Sequence, residues 1–108
     1  MAMDIYTLTR REEIARDFGL CSQIQRAGVS IMSNIAEGFE GQHLQEKLQF
    51  YNIARGSSAE VRSLHYVITD NYPRLSAEAG MICGKAVATG KLVTGLIHST
   101  ESRKRKDS

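Results

Sequence analysis

The chain has 108 residues, of which 42% are hydrophobic, 24% are charged and only 6% are aromatic, with one proline and no tryptophan. This length and composition fit one domain with an aliphatic core, and they exclude a turn-rich β-sandwich and a second domain. The sequence has no run of about 18 consecutive apolar residues and no signal-peptide pattern, so we expect a cytoplasmic protein without a membrane span.

The net charge of +2 is unevenly distributed along the chain. Residues 1–102 carry 10 basic and 11 acidic residues and a charge of −1, whereas residues 103–108 carry four basic residues, one acidic residue and a charge of +3. We predict one domain over residues 1–102 followed by a basic, flexible tail. The tail is a solvated terminus, a phosphate-binding arm or a remnant of recombinant expression.

The first predicted elements are short. Apolar residues near the start of the chain allow at most two helical turns before Thr9. Thr9 and Glu12 have the spacing of a capping box, which predicts a short helical segment over residues 10–17. Gly19 then permits a bend before the next helix.

Three longer helices are predicted over residues 20–39, 43–69 and 75–99. In each helix apolar or small residues recur at spacings of three and four, which places them on one face. Gly38 and Gly41 are stop signals for the first of these helices, and Pro73 separates the other two. The main seams comprise Leu20, Ile24, Ala27, Ile31 and Ile35; Phe50, Ala54, Ser57, Val61, Leu64 and Ile68; and Leu75, Ala79, Ile82, Ala86, Thr89, Val93 and Leu96.

The helical seams predict how the elements pack. Sustained spacings of three and four are typical of helices that cross at about 20°, as in up-down bundles. The connections near residues 40–42 and 70–74 are short, which makes neighbouring helices antiparallel. We therefore expect an all-α, antiparallel up-down four-helix bundle with a shortened first helix.

Motifs that carry catalytic chemistry are missing from the sequence. It contains no glycine-rich phosphate loop, no serine nucleophile elbow and no Cys-x-x-Cys pair. Glu40 and His43 have the spacing of a di-iron ligand pair, but they flank Gly41 and lack a second copy of the motif. Cys21 and Cys83 are interpreted as buried or half-buried thiols. We expect no enzyme activity, no cofactor, no metal and no small-molecule substrate.

Several polar residues lie within or beside the apolar seams of the second and third helices. They are Arg26, Asn34, Glu37, Arg55 and Glu60. Because buried charges must be paired, we interpret them as a structural network in which Arg26 or Arg55 pairs with Glu60 or Glu37. Contact with a ligand or RNA and simple exposure are the alternatives.

Two segments of the chain carry a family resemblance. The run from Gln23 to Phe39, QIQRAGVSIMSNIAEGF, closely resembles the signature of the four-helix bundle family of 23S rRNA-intervening sequence proteins. The run from Ile53 to Ser57, with Glu60 after it, resembles the third-helix motif of that family, and residues 94–97 resemble its C-terminal end. The resemblance spans residues 5–98. Its structural motif falls here on Arg26, Asn34, Glu37, Gly38, Arg55, Ser57 and Glu60.

The resemblance implies a small all-α protein without enzyme activity, from a family first named from reading frames inside insertions in bacterial 23S rRNA genes. A related branch, the accessory variability protein of diversity-generating retroelements, forms pentameric rings and partners a reverse transcriptase and nucleic acid. The implied partners are therefore further copies of the chain, with a pentamer as precedent, and RNA or a reverse transcriptase. The alternative is a protein–protein interaction scaffold that binds no nucleic acid.

The sequence departs from the family pattern at three points. Met32 stands where members usually have proline, which predicts a straighter second helix. Members usually begin with a long helix that carries a tryptophan, of which only residues 5–9 remain, so we expect an uncovered apolar groove that a neighbouring subunit covers, or a first helix that was lost. The charge of −1 over residues 1–102 leaves few bases for RNA. The candidates are Arg10, Arg11, Arg16, Arg103, Lys104, Arg105 and Lys106.

Overall fold

The protein, in a computed structural model that describes residues 1–107, consists of four α-helices and contains no strand within those residues. A 3-10 turn, Pro73–Leu75, precedes the last helix. The predicted all-α class is therefore confirmed. The helices are α1 (Ala2–Thr9), α2 (Phe18–Glu40), α3 (Leu44–Asn71) and α4 (Ser76–Asp107).

The segment between α1 and α2 is a series of turns, and the predicted helix over residues 10–17 is wrong. Thr9 does not act as an N-cap, because its hydroxyl donates to the Tyr6 carbonyl inside α1 at 3.1 Å and accepts from Gln25 at 2.9 Å. Asp17 is the N-cap of α2 instead, and its carboxylate accepts from the Leu20 amide at 3.3 Å. The turns bury Ile14 completely, so this connection contributes to the core.

The C-terminal helix is longer than its seam predicts. It continues through Asp107 rather than ending at residue 99, so residues 103–106 lie on α4 and not in a separate irregular extension. No glycine or proline follows residue 99, and lysine and arginine are favourable in the last turn of a helix, where they interact with its dipole. The division at residue 102 stays a prediction, and Ser108 lies outside the described residues.

The buried side chains form two clusters. The larger one joins all four helices with Ile14, and the smaller one joins α3 and α4 through Leu48, Tyr51, Ala54, Val93 and Ile97. Ile35 packs against both clusters and so connects them. The apolar seams predicted for the three long helices therefore face one another in the core. Phe50, predicted in the α3 seam, is only half-buried, and its neighbour Tyr51 occupies the core instead.

Two glycines of α2 allow close helix contacts. A Cβ placed on Gly28 would lie 2.6 Å from the Ile5 Cδ1, and a Cβ placed on Gly38 would lie 2.2 Å from the Tyr51 Cε1. Such distances are shorter than van der Waals contact. The Ile5 side chain of α1 and the Tyr51 ring therefore occupy the space that a larger side chain at residues 28 and 38 would need. Of the two predicted stop signals, Gly41 is the C-cap of α2, which ends at Glu40, whereas Gly38 lies inside the helix.

One helical stretch has the length and composition of a membrane span. It runs from Pro73 to Lys106, and 22% of its most apolar window is buried within the described residues. The search of the sequence for about 18 consecutive apolar residues did not find this stretch, because small and weakly polar residues interrupt it. Length and composition alone do not separate a span from a helix that packs against protein.

Candidate nucleic-acid interface

The predicted RNA-binding residues lie at two distant ends of the molecule. Arg11 is at the end where α4 begins, and its Nε donates to the Glu78 carboxylate at 3.0 Å. At the other end the Lys104 ammonium donates to the Gln45 amide oxygen beside the start of α3. Because Glu78 and Lys104 are 26 residues apart on one helix, these ends are separated by about 39 Å. Arg10, Arg16 and residues 103–106 are all exposed, but the structure does not gather them into one patch.

The part of the chain that the structure describes does not contain the predicted ionic network between α2 and α3. Arg26, Glu37, Arg55 and Glu60 are all exposed, and none forms an ion pair with another residue in the range 1–107. Exposed charged side chains remain hydrated, and ion pairing adds little to their stability. A position beside the apolar seam therefore does not require these side chains to pair. Arg55 instead donates to the Asn52 amide oxygen at 2.9 Å.

Neutral groups connect α2 and α3 where the charges were expected. The hydroxyls of Ser30 and Ser57 share a hydrogen bond of 2.7 Å. Asn34 donates to the Ser30 carbonyl at 2.8 Å and to its hydroxyl at 3.1 Å. Of the seven residues assigned to the structural motif, Asn34, Gly38 and Ser57 thus lie in or beside helix contacts.

A groove between α3 and α4 carries basic residues that were not grouped from the sequence. Arg55 and Arg62 of α3 and Lys91 of α4 line this open groove of about 370 Å³, with Ser58 and Gly90 at its floor. No carboxylate lines it, and none of the three bases forms an ion pair with a described residue. In the sequence, only the seven-residue spacing of Arg55 and Arg62 indicated this groove, because that spacing places both arginines on one face of α3.

The thiols and carboxylates do not assemble a reactive site in the described part of the chain. Cys21 is buried, donates to the Ile14 carbonyl at 3.3 Å, and has a thiol pKa raised by burial and by Asp17 nearby. Cys83 is half-buried and free. Within residues 1–107 no group of three His, Cys, Asp or Glu side chains is placed to hold a metal ion.

The protein is elongated, 53 Å long and 18 by 17 Å across, and its described residues form four helices. This architecture places it in the class of small helical-bundle proteins. The family model for 23S rRNA-intervening sequence protein matches residues 1–81, and the chain belongs to that family. The resembling segment at residues 94–97 lies outside the matched range. Comparisons with curated proteins and with solved structures returned no match.

Proposed function

We propose that this chain is a non-enzymatic, RNA-associated helical bundle that acts as a cytoplasmic homo-oligomer. The observation that carries the proposal is the family match over residues 1–81, since the family name ties its members to the intervening sequences of 23S rRNA. The bases at the end of α4 supply the charge that RNA binding needs. A reverse transcriptase is the protein partner that the resemblance suggests.

An antiparallel up-down arrangement is part of this proposal. Contacts along α2 and α3 run in opposite directions: Gly38 meets Tyr51, and Ser30 meets Ser57. Nearer the start of α2, Asp17 accepts a hydrogen bond of 2.8 Å from the Tyr72 hydroxyl, which follows the end of α3. This hydrogen bond raises the pKa of Tyr72. A bundle with this order of contacts leaves the short α1 beside only part of α2.

Self-association is supported by an apolar strip next to the smaller core cluster. Met32 and Phe39 are 52% and 60% exposed, and Ile35, which lies between them on α2, is half-buried at the edge of that cluster. Met32, Ile35 and Phe39 lie on one face of α2, beyond the stretch where Ile5 covers Gly28. Apolar strips of this kind mark interfaces, and we propose a second copy of the chain as the occupant, with a pentamer as family precedent.

A protein–protein scaffold without nucleic-acid binding is the alternative. The same apolar strip favours it, as does the charge of −1 over residues 1–102. The two functions differ in their response to salt, because phosphate contacts release counterions and apolar contacts do not.

The basic end of α4 provides the test of RNA association. Replacing Arg103, Lys104, Arg105 and Lys106 by glutamine is expected to weaken the gel shift of a short single-stranded RNA, and to lower the slope of log affinity against log salt by up to about 3. A control variant replaces Arg26 and Arg74, two exposed arginines elsewhere on the surface, by glutamine.

An unchanged gel shift in the α4 variant would remove these four bases from the mechanism. Absence of any shift with the unaltered chain, even at low salt, would overturn RNA association and leave the scaffold. Circular dichroism of each variant establishes that the helices remain folded.

A further inference from the structure

We propose that the groove between α3 and α4 binds the phosphate backbone of RNA, with Arg55, Arg62 and Lys91 as its contacts. This inference rests on the proposed RNA association and assigns it a site away from both predicted ends of the molecule. The bases come from two helices and line a single open groove. A polyanion that lies along the groove can therefore contact all three.

The geometry of the groove follows from the spacing of its residues. Arg55 and Arg62 are seven residues apart, so they lie on the same face of α3 about 10 Å from each other along the axis. Lys91 faces them from α4. At the floor, a Cβ placed on Gly90 would lie 3.7 Å from the Ser58 Cβ, so the helices approach closely and the space above Gly90 stays open.

The charge of the groove is not compensated by the protein. Two other surface bases have carboxylate partners: Lys85 pairs with Asp4 at 2.7 Å, and Arg11 pairs with Glu78 at 3.0 Å. The three groove bases have no carboxylate partner among the side chains described for residues 1–106, and no carboxylate lines the groove. Uncompensated cations in a concave surface concentrate polyanions, and the planar guanidinium of arginine matches the geometry of a phosphate.

Ionisable residues recur along α4 between the groove and the basic end of the helix. Lys91, His98 and Arg105 recur at seven-residue intervals, which places them on one face of α4 over about 21 Å. A second open groove is lined by Leu48, Glu101, Lys104 and Arg105. Because the Glu101 carboxylate would repel a phosphate in that second groove, the proposed contacts are confined to Arg55, Arg62 and Lys91.

The lining of the groove predicts how RNA is held. Between the bases it presents small side chains such as Ala59 and Ala86, and no aromatic side chain lines it. Stacking of bases requires aromatic platforms, whereas phosphate contacts do not depend on sequence. We therefore expect binding that depends on salt and tolerates changes in RNA sequence.

The first test compares two double variants of the full chain with the same loss of charge. Arg55→Gln/Arg62→Gln is expected to lower the salt slope of single-stranded RNA binding by about 1.4, since each phosphate contact contributes about 0.7. Arg26→Gln/Arg74→Gln, which alters exposed arginines outside the groove, is expected to leave the slope unchanged. The readout is the fluorescence anisotropy of a labelled RNA between about 50 and about 200 mM salt.

A second pair of variants adds a negative charge rather than removing positive ones. Gly90→Glu places a carboxylate beside the three bases, at a position where the new Cβ meets the Ser58 Cβ at an ordinary 3.7 Å, and is expected to weaken RNA binding about tenfold. Gly84→Glu, at an exposed position of α4 outside the groove lining and with no atom near the new Cβ, is expected to have no effect. Circular dichroism confirms that both variants are folded.

The outcomes separate the groove from the proposed function. If the unaltered chain binds RNA and all four variants bind it equally well, the groove proposal is overturned and RNA association stands. If the unaltered chain binds no RNA at low salt, both are overturned. Binding of polyglutamate in place of RNA also overturns the groove as an RNA site, and it would assign the basic surface to an acidic protein partner.

Discussion

Replacing Leu64 by alanine is expected to lower the free energy of unfolding by about 2–5 kcal/mol. Leu64 is only 7% exposed and lies in the larger core cluster with Ile24 and Ile82. The substitution removes apolar contacts and leaves a cavity that tightly packed neighbours cannot fill completely. Urea unfolding followed by circular dichroism, at one fixed protein concentration because of self-association, measures the loss.

Val67→Ala is the matched control on the same helix. Val67 is 44% exposed, so its truncation removes few buried contacts, and alanine is the better helix former. Its expected effect on the free energy of unfolding is within about 0.5 kcal/mol. Equal stability of the two variants would contradict the placement of Leu64 in the core.

Gly38→Ala is the second substitution with a large expected effect. The new Cβ would lie 2.2 to 2.9 Å from three atoms of the Tyr51 ring, and this ring is itself buried. The ring or the helix must therefore shift, which costs about 1–3 kcal/mol and outweighs the gain from replacing a helical glycine. Thermal unfolding of the variant should show a lower midpoint.

Gly84→Ala is the control and is expected to change the free energy of unfolding in the opposite direction. No atom lies within 4 Å of the new Cβ, so the variant gains helix propensity and becomes more stable by up to about 1 kcal/mol. In the double variant Gly38→Ala/Tyr51→Leu the penalty at residue 38 should shrink, since the aromatic ring is gone. A stabilised Gly38→Ala variant would contradict the close packing at this position.

The predicted seams located α2, α3 and the start of α4, because spacings of three and four residues hold wherever a helix buries one face. The predicted seam of α3 included Phe50, whereas Tyr51, the next residue, is the one buried in the core. The choice between them depends on Gly38, whose missing side chain makes room for the Tyr51 ring. Such tertiary contacts leave no local pattern.

The region around Thr9 shows a second limit of local patterns. Thr9 and Glu12 match a capping box, but the Thr9 hydroxyl is bonded to Tyr6 and Gln25. The turn that follows buries Ile14, whose apolar side chain gains more from the core than a short exposed helix would gain from its cap. Tertiary burial therefore decided this segment.

The candidate site was predictable only in part. Counting charges by segment drew attention to residues 103–106 and concealed the bases of the α3–α4 groove. The spacing of Arg55 and Arg62 was visible in the sequence, but Lys91 joins them only through the register of two helices, which Ser58 and Gly90 set by close approach. A basic groove formed by two helices can therefore be predicted only when the register between those helices is known.

Sedimentation velocity of the unaltered chain, alone and with a labelled short RNA, tests the central claim that this bundle is an RNA-associated homo-oligomer. We predict that the protein alone sediments faster than a 12.0 kDa monomer. We also predict that the RNA co-sediments with it at about 50 mM salt and separates from it as the salt concentration rises. A stable monomer that leaves the RNA unbound at low salt would contradict the account.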